Sequence, residues 1–206
     1  MQGEIIPTKA NLMKCEEILK FSIKGFDLLD KKRNILIQEM MTLVKRAEKI
    51  QSLINNEFLI AYDSLKMANI MMGSSSVEEF SYAVNKEDNY DILLTSVMGV
   101  EIPKVKFNKK DLEVSYSFFR TNSSFDNAVL KFNELKYMIY ELSEVETSVY
   151  KLAIEIKKTR KRANALEKIR IPRYIELVKN IKETLEEKER EDFFRLKILK
   201  DRKSLK

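Results

Sequence analysis

The amino-acid sequence predicts a mostly α-helical protein: a long antiparallel two-helix coiled coil with a small α+β insertion, a short helix plus a β-hairpin, at its bend. The chain of 206 residues has only four Gly and three Pro, and 34% of its residues are charged, a composition typical of long helices. Two stretches carry apolar residues at heptad spacing, and the stretch between them is rich in turn and strand signals. We expect one continuous structural unit divided into residues 1–72, 73–123 and 124–206.

The first long helix is predicted by a seam of apolar residues that recur in alternating steps of three and four. Eleven of its first thirteen positions are apolar, which indicates a sustained coiled-coil helix about 90 Å long. A step of four into Phe58 breaks the heptad phase and should unwind the supercoil locally. Pro7 and Thr8 favour the start of this helix, and Gly73 favours its end. The seam consists of Leu12, Cys15, Leu19, Ser22, Phe26, Leu29, Arg33, Leu36, Met40, Leu43, Ala47, Ile50, Ile54, Phe58, Ala61, Leu65, Ala68 and Met72.

A second seam predicts the other long helix. Ser123 is a good N-cap, and Asp126 follows at the spacing from which a carboxylate reaches back to the cap. After Leu166 the phase of the seam moves before it resumes at Ile171. Two long helices with matching seams should fold back on each other, since a single one would leave its apolar stripe in water. The second seam consists of Leu135, Met138, Leu142, Val145, Val149, Leu152, Ile156, Thr159, Ala163, Leu166, Ile171, Tyr174, Val178, Ile181 and Leu185.

The segment between the two seams predicts a small α+β knob. Ser76 and Glu79 form a capping-box pattern that would begin a short helix. Residues 91–98 and 100–107 are typical of two strands joined by a tight turn at a glycine. Residues 112–118 alternate apolar and polar side chains, which predicts a half-buried strand.

The composition excludes several kinds of chemistry. The chain has no His and a single cysteine, Cys15, so we expect no histidine-based catalysis, no disulfide and no cysteine-cluster metal site. Its glycines are isolated and form no phosphate-binding loop. We therefore expect no catalytic residue, cofactor or metal, and Cys15 is expected to pack on the seam. No signal pattern or membrane-length apolar run is present, which predicts a cytoplasmic protein without direct membrane insertion.

Basic residues concentrate at one level of the expected coiled coil. The net charge is +6, which makes an acidic partner plausible without identifying it. A helix that binds nucleic acid would gather its charges on one face, whereas these side chains surround the helix except at its seam. We expect them to form a positive collar that suits a surrounding socket; ordinary solvated lysines are the alternative. The collar comprises Lys31, Lys32, Arg33, Lys157, Lys158, Arg160, Lys161 and Arg162.

Two further features mark the second helix. Pro172 removes a helical hydrogen bond and crowds the carbonyl of Lys168, so a kink is expected there. Counting back from the bend places Gly25 opposite Pro172. The C-terminal end of the helix should extend beyond its partner as a tip whose apolar side chains need an enclosing protein. These tip residues are Phe193, Phe194, Leu196, Ile198 and Leu199.

Four segments of the chain are similar to a known family. "PTKANLMK", "KGFDLLDKKRNIL", "SVMGVEIPKV" and "TRKRANALEKIRIPRYIELVKNIKETLEEKEREDFFRLKILK" resemble the D subunit of the V-type and archaeal-type rotary ATPases, and the resemblance covers nearly the whole chain. Ala163 departs from it, because the family commonly has a bulkier Val there, so looser seam packing is expected at this position.

The resemblance implies a noncatalytic rotor shaft that couples ATP hydrolysis or synthesis to proton or sodium translocation. Its implied partners are the A and B subunits of the head, the small F subunit of the stalk, and the funnel-shaped C subunit above the membrane ring, with no nucleic acid. It also implies that the shaft binds no nucleotide itself. The rival interpretation from the residues is a chaperone-like or nucleic-acid-binding coiled coil, which would bind client protein or phosphates with steep salt dependence.

Overall fold

A computed structural model describes residues 6–84, 90–107 and 115–204, with side chains through residue 200. The described elements are α1 (Lys9–Met72), α2 (Ser74–Ser81), β1 (Tyr90–Val97), β2 (Val100–Phe107), α3 (Ser123–Ala165), a π-helical turn (Leu166–Arg170) and α4 (Ile171–Ser204). This mostly helical architecture with a small helix-and-hairpin insertion confirms the expected fold class. The chain divides into a central unit, Ile35–Glu155, and a terminal unit, Met1–Asn34 with Ile156–Lys206.

The two predicted seams are confirmed as the faces of the long helices that turn away from water. Every seam position, from Leu12 to Met72 and from Leu135 to Leu185, is buried or half-buried. Cys15 is 4% exposed, as expected for a cysteine that packs on the seam. Heptad spacing keeps these positions on one side of each helix, so the period alone was enough to identify them.

In the central unit, α1 and α3 pack antiparallel around an aliphatic core. Ile50, Ile54, Ala61, Leu135 and Val145 form its buried cluster. Two ion pairs, Arg46–Glu141 and Glu57–Lys131, border this core. From the first pair to the second, the residue number rises along α1 and falls along α3, as antiparallel helices require. Because these ion pairs are partly exposed, they contribute little compared with burial of the aliphatic side chains.

Helix ends in the central unit follow the backbone chemistry of glycine. Gly73 has a φ of 79°, accepts the first hydrogen bond of α2 from Val77 and donates to Asn69, so it both ends α1 and begins α2. The capping-box prediction is therefore wrong: α2 begins at Ser74, and no side chain caps it. Glycine adopts a positive φ at little steric cost. The chain therefore turns at Gly73, and α2 begins before Ser76.

The hairpin forms as predicted and packs against α3. Val97 pairs with Val100 across a two-residue turn in which Met98 and Gly99 have φ values of 51° and 79°, the signs that a type I′ turn requires. The backbone N–H of Val105 donates to the Glu144 carboxylate at 2.7 Å. The ring of Phe107 stacks on Tyr137 at 5.2 Å. The outer edge of β2 is thus fixed to α3, while the side chains of β1 are mostly exposed.

The strand predicted over residues 112–118 falls partly outside the described residues. Its described part, residues 115–118, is not a strand. Tyr116 instead packs edge-on against Phe125 at 5.1 Å and donates its hydroxyl to Asp126 at 2.8 Å. α3 begins at Ser123, and the N–H groups of Phe125 and Asp126 bond to the carbonyl of Asn122, so Asn122 rather than Ser123 holds the cap position.

The Tyr116–Asp126 hydrogen bond predicts a measurable pH dependence. Burial, followed by this hydrogen bond, raises the pKa of Tyr116 from 10 to about 12. The neutral phenol is favoured in the folded state, so its stabilising contribution is full below pH 10 and is lost as the pH rises to about 12. We expect Tyr116→Phe to lower the free energy of unfolding by about 1 kcal/mol at neutral pH. This difference from the unmodified chain should shrink between pH 10 and 12 in urea titrations.

Tyr150→Phe provides the control, because Tyr150 is 68% exposed and its substitution should have little effect at any pH. A Tyr116→Phe cost that stays constant up to pH 12 would contradict this assignment.

Candidate functional site: a basic collar, a π turn and an exposed tip

The five basic residues of α3 that were assigned to the collar are exposed. Thr159 and Ala163 are 1% and 0% exposed and face the seam, which leaves the charged side chains before and between them pointing outward. All five are exposed, and none forms an ion pair with another described residue. These five are Lys157, Lys158, Arg160, Lys161 and Arg162. A ring of outward cations attracts acidic or carbonyl-rich surfaces.

The α1 residues of the collar lie in the same unit. Gly25 is opposite Leu166, and eight residues along α1 and eight back along α3 from this contact are Arg33 and Lys158. Arg33 is half-buried and pairs with Asp30 on its own helix, which makes it the least available cation of the collar. Lys31 is exposed and Lys32 half-buried.

The expected pairing of Gly25 with Pro172 is wrong. A Cβ built on Gly25 would lie 3.7 Å from Cδ1 of Leu166, and no other atom of the described residues beyond the neighbouring backbone approaches within 4 Å. The central unit departs from the same estimate, since Arg46 meets Glu141 rather than a residue near Tyr150. The expected pairing was obtained by counting residues back from the bend. The register of paired helices is instead set by their interdigitating side chains.

A π-helical turn, Leu166–Arg170, lies immediately before Pro172. The N–H of Ile171 donates to the carbonyl of Leu166, five residues back. This wider turn contains one residue more than an α-helical turn. The additional residue accounts for the phase change in the seam between Leu166 and Ile171. The backbone on either side stays in the right-handed helical region. A kink at Pro172 stays a prediction.

Gly25 gives a stability prediction of definite sign. A methyl group there would make ordinary van der Waals contact with Leu166, and glycine inside a helix costs about 0.5–1 kcal/mol relative to alanine. Gly25→Ala should therefore raise the free energy of unfolding by about that amount in urea titrations. Gly99→Ala is the opposing control: with φ at 79°, it should destabilise the hairpin. A destabilised Gly25→Ala variant would overturn the assignment.

The tip is exposed along its described length. Lys9 and Glu189 form an ion pair at 2.7 Å, in which the hydrogen bond and charge of Glu189 raise the pKa of Lys9. Beyond this level, the five tip side chains are 54–68% exposed: Phe193, Phe194, Leu196, Ile198 and Leu199. An apolar patch of this kind marks an interaction surface.

α1 carries a second apolar surface that was not expected from the sequence. Leu53, Ile60 and Met67 are 57%, 49% and 50% exposed and repeat every seven residues, so they lie on one face of the helix. Their heptad spacing was visible in the sequence but was hidden by the stronger seam beside them. Glu144, which fixes the hairpin, had no sequence signal at all.

The described residues include no group of three or more His, Cys, Asp or Glu side chains arranged to hold a metal ion. Among these same residues, no helix is both long and apolar enough to cross a membrane. The described geometry consists of outward cations and exposed apolar side chains on paired helices, features that suit contact with macromolecular surfaces.

Comparison with known proteins identifies the family. The signature of the family described as the D subunit of ATP synthase matches residues 11–201. The D subunit of the V-type ATP synthase of Thermotoga neapolitana is 39% identical over 198 residues, covering 96% of this chain and 98% of that protein. The D subunit of the A-type ATP synthase of Methanopyrus kandleri is 37% identical, covering 98% of this chain and 90% of that protein, and that of Pyrococcus furiosus is 34% identical, covering 96% and 94%. The chain therefore belongs to the D-subunit family of the ATP synthases and is one component of an ATP synthase complex.

Proposed function

We propose that this chain is the noncatalytic central-stalk rotor shaft of a V/A-type ATPase or ATP synthase. Its rotation couples ATP hydrolysis or synthesis in the catalytic head to proton or sodium translocation. The observation that carries this proposal is the collar: one side of α3 holds the buried seam, and cations point outward from its remaining sides. A shaft needs a cohesive interior and an exterior that makes weak contacts in all directions.

The collar and the tip are the surfaces that enter the head. The A and B subunits surround them, while the F subunit and the funnel-shaped C subunit above the membrane ring bind the central unit. The chain is then cytoplasmic and peripheral to the membrane through its complex. Nucleotide binding and hydrolysis belong to the head, and this chain contributes contact surfaces.

Electrostatics makes the collar suitable for stepwise rotation. A charge pair near a protein surface is worth at most a few kcal/mol, about 4 kcal/mol at 4 Å in an effective dielectric of 20, and solvent exposure reduces this to about 1 kcal/mol or less. Contacts of this size favour particular dwell angles and are broken within each step. Lysine and arginine side chains, which are long and flexible, keep such contacts over a range of angles.

Reassembly tests the proposed role. The purified full chain should form a stable complex with the F subunit and join the A and B subunits of the head on size-exclusion chromatography at low salt. Failure to bind the F subunit, or recovery of the chain with nucleic acid that 0.5 M salt removes, would support the rival class of coiled coil.

The tip gives a separate prediction. Phe193→Ser with Phe194→Ser should weaken assembly with the head about 100-fold or more, because burial of each aromatic side chain is worth about 1.5–3 kcal/mol, while binding to the F subunit stays unchanged. Titration of fluorescently labelled chain with the head measures this affinity. The matched control is Tyr150→Ser, another exposed aromatic residue outside the tip. Equal losses in both variants would contradict a docking role for the tip.

A further inference from the structure

Pro172 and the π turn together weaken the backbone hydrogen bonding of one helical turn. The N–H of Ile171, which an α-helix would give to Glu167, bonds to Leu166 instead. The donor five residues after Glu167 is Pro172, which has no N–H. Pro172 is also the residue that would serve the carbonyl of Lys168 in an α-helix. Two consecutive carbonyls therefore lack the donor of a regular helix, and both residues are exposed to water.

Side-chain packing gives this turn little additional support. No residue of the π turn is buried, and Ile169 is 68% exposed. Opposite Leu166, Gly25 contributes no side chain. A segment with solvent-exposed backbone bonds and few buried contacts has low local stability.

The seam on either side prevents the extra residue from moving away. If the π turn lay nearer the N-terminus, heptad spacing counted backwards from Ile171 would place Glu167, Asn164 and Arg160 on the seam. If it were absorbed nearer the C-terminus, Arg170, Arg173 and Asn180 would take seam positions instead. Burial of these charged and amide groups against the apolar face of α1 is unfavourable. The π turn is thus confined to one place.

We propose that Leu166–Arg170 is a fixed joint. Within the helical segment that runs from the end of α3 through α4, this turn is the first to break its backbone hydrogen bonds and bend, while the residues on both sides keep their seam positions. The extra residue diverts the Ile171 N–H from Glu167 to Leu166, Pro172 has no N–H to donate, and Gly25 leaves room for movement of Leu166. Bending there moves the exposed end of α4 without displacing the buried pair Thr159 and Ala163. The joint is a property of the chain itself and does not depend on the proposed rotor role.

Amide hydrogen exchange of the isolated full chain is the first test. We expect amides of residues 166–174 to exchange at least about tenfold faster than those of residues 157–163 and 176–182, since one or two missing backbone bonds at about 1 kcal/mol each correspond to about that ratio. Equal protection across the three segments would overturn the joint. This measurement requires no variant and remains informative even if a variant fails to fold.

The second test removes the joint. Deletion of Lys168 together with Pro172→Ala takes out the extra residue and restores the missing N–H, so the heptad steps continue without interruption. We expect exchange of the remaining amides in this turn to slow by about tenfold and the Tm to rise. Deletion of the exposed Glu146 in the regular part of α3 is the matched control: it misplaces the six seam positions from Val149 to Leu166 and should lower the Tm. A joint-free variant that loses stability as the control does, or whose exchange is unchanged, contradicts the proposal.

Discussion

Reversal of the charges at Arg160, Lys161 and Arg162 to Glu should reduce ATP-driven ion pumping of the reassembled complex at least about tenfold. All three side chains are exposed and without ion-pair partners among the described residues, so their substitution leaves the buried seam intact. Each reversed contact costs about 1 kcal/mol or more, because an attraction is replaced by a repulsion, and 1.4 kcal/mol already corresponds to a factor of about ten. Pumping in vesicles containing the complex, followed with a pH-sensitive or sodium-sensitive dye, measures the loss.

The control for this experiment exchanges the cations without changing the charge. Arg160→Lys, Lys161→Arg and Arg162→Lys should keep most of the pumping if charge is what the socket recognises. Circular dichroism of both triple variants should remain that of the unmodified chain, since no buried residue is altered. Undiminished pumping by the charge-reversed variant would remove the collar from the mechanism.

Leu135→Ala should be among the most destabilising single substitutions in the central unit. Leu135 is 1% exposed and lies in the buried cluster with Ile50 and Ile54. Truncation removes three carbon atoms from a closely packed site and leaves a cavity, which costs about 2–5 kcal/mol. Urea unfolding followed by circular dichroism measures the change in the free energy of unfolding.

Leu130→Ala is the matched control on the same helix, because Leu130 is 52% exposed. Its cost should be well below that of Leu135→Ala, since little apolar surface is returned to water. Comparable losses for the two substitutions would show that the seam is not the principal source of stability.

Periodicity explains why much of this fold was predictable. A heptad pattern reports burial directly, so the seam positions around Leu36 and Leu152 were identified from spacing alone, and both are fully buried. The hairpin was equally accessible, because Gly99 suits the positive φ of a two-residue turn. The exposure of the five basic residues of α3 followed from their spacing relative to the seam, which requires only the helical period, and their role as a head-contacting collar stays a prediction.

Features that depend on three-dimensional packing were less accessible. The register between helices is fixed by interlocking side chains, so the estimate that paired Gly25 with Pro172 missed the contact with Leu166. The sequence showed a phase change before Ile171, but the same change in α1 at Phe58 occurs within an uninterrupted α-helix. Of these two phase changes, the one next to Pro172 is accommodated by a π turn. Sequence alone did not distinguish these two outcomes.

Helix boundaries and tertiary hydrogen bonds followed competing local chemistry. Ser76 offered a reasonable capping box, yet the cap of α2 is Gly73, with its positive φ, three residues earlier. Asp126 was positioned to serve a helix cap but bonds Tyr116 instead. Such choices depend on which partner tertiary structure brings nearest, and a single sequence does not encode that distance in any simple pattern.

Direct observation of rotation tests the rotor proposal most sharply. Ser75 is exposed near the start of α2, and Cys15, the single natural cysteine, is only 4% exposed, so Ser75→Cys provides one reactive position for attaching a bead. With the head of the reassembled complex fixed to a surface, the bead should turn in one direction when ATP is added and stop when ATP is removed. A bead that stays still while the same complexes hydrolyse ATP would contradict the account.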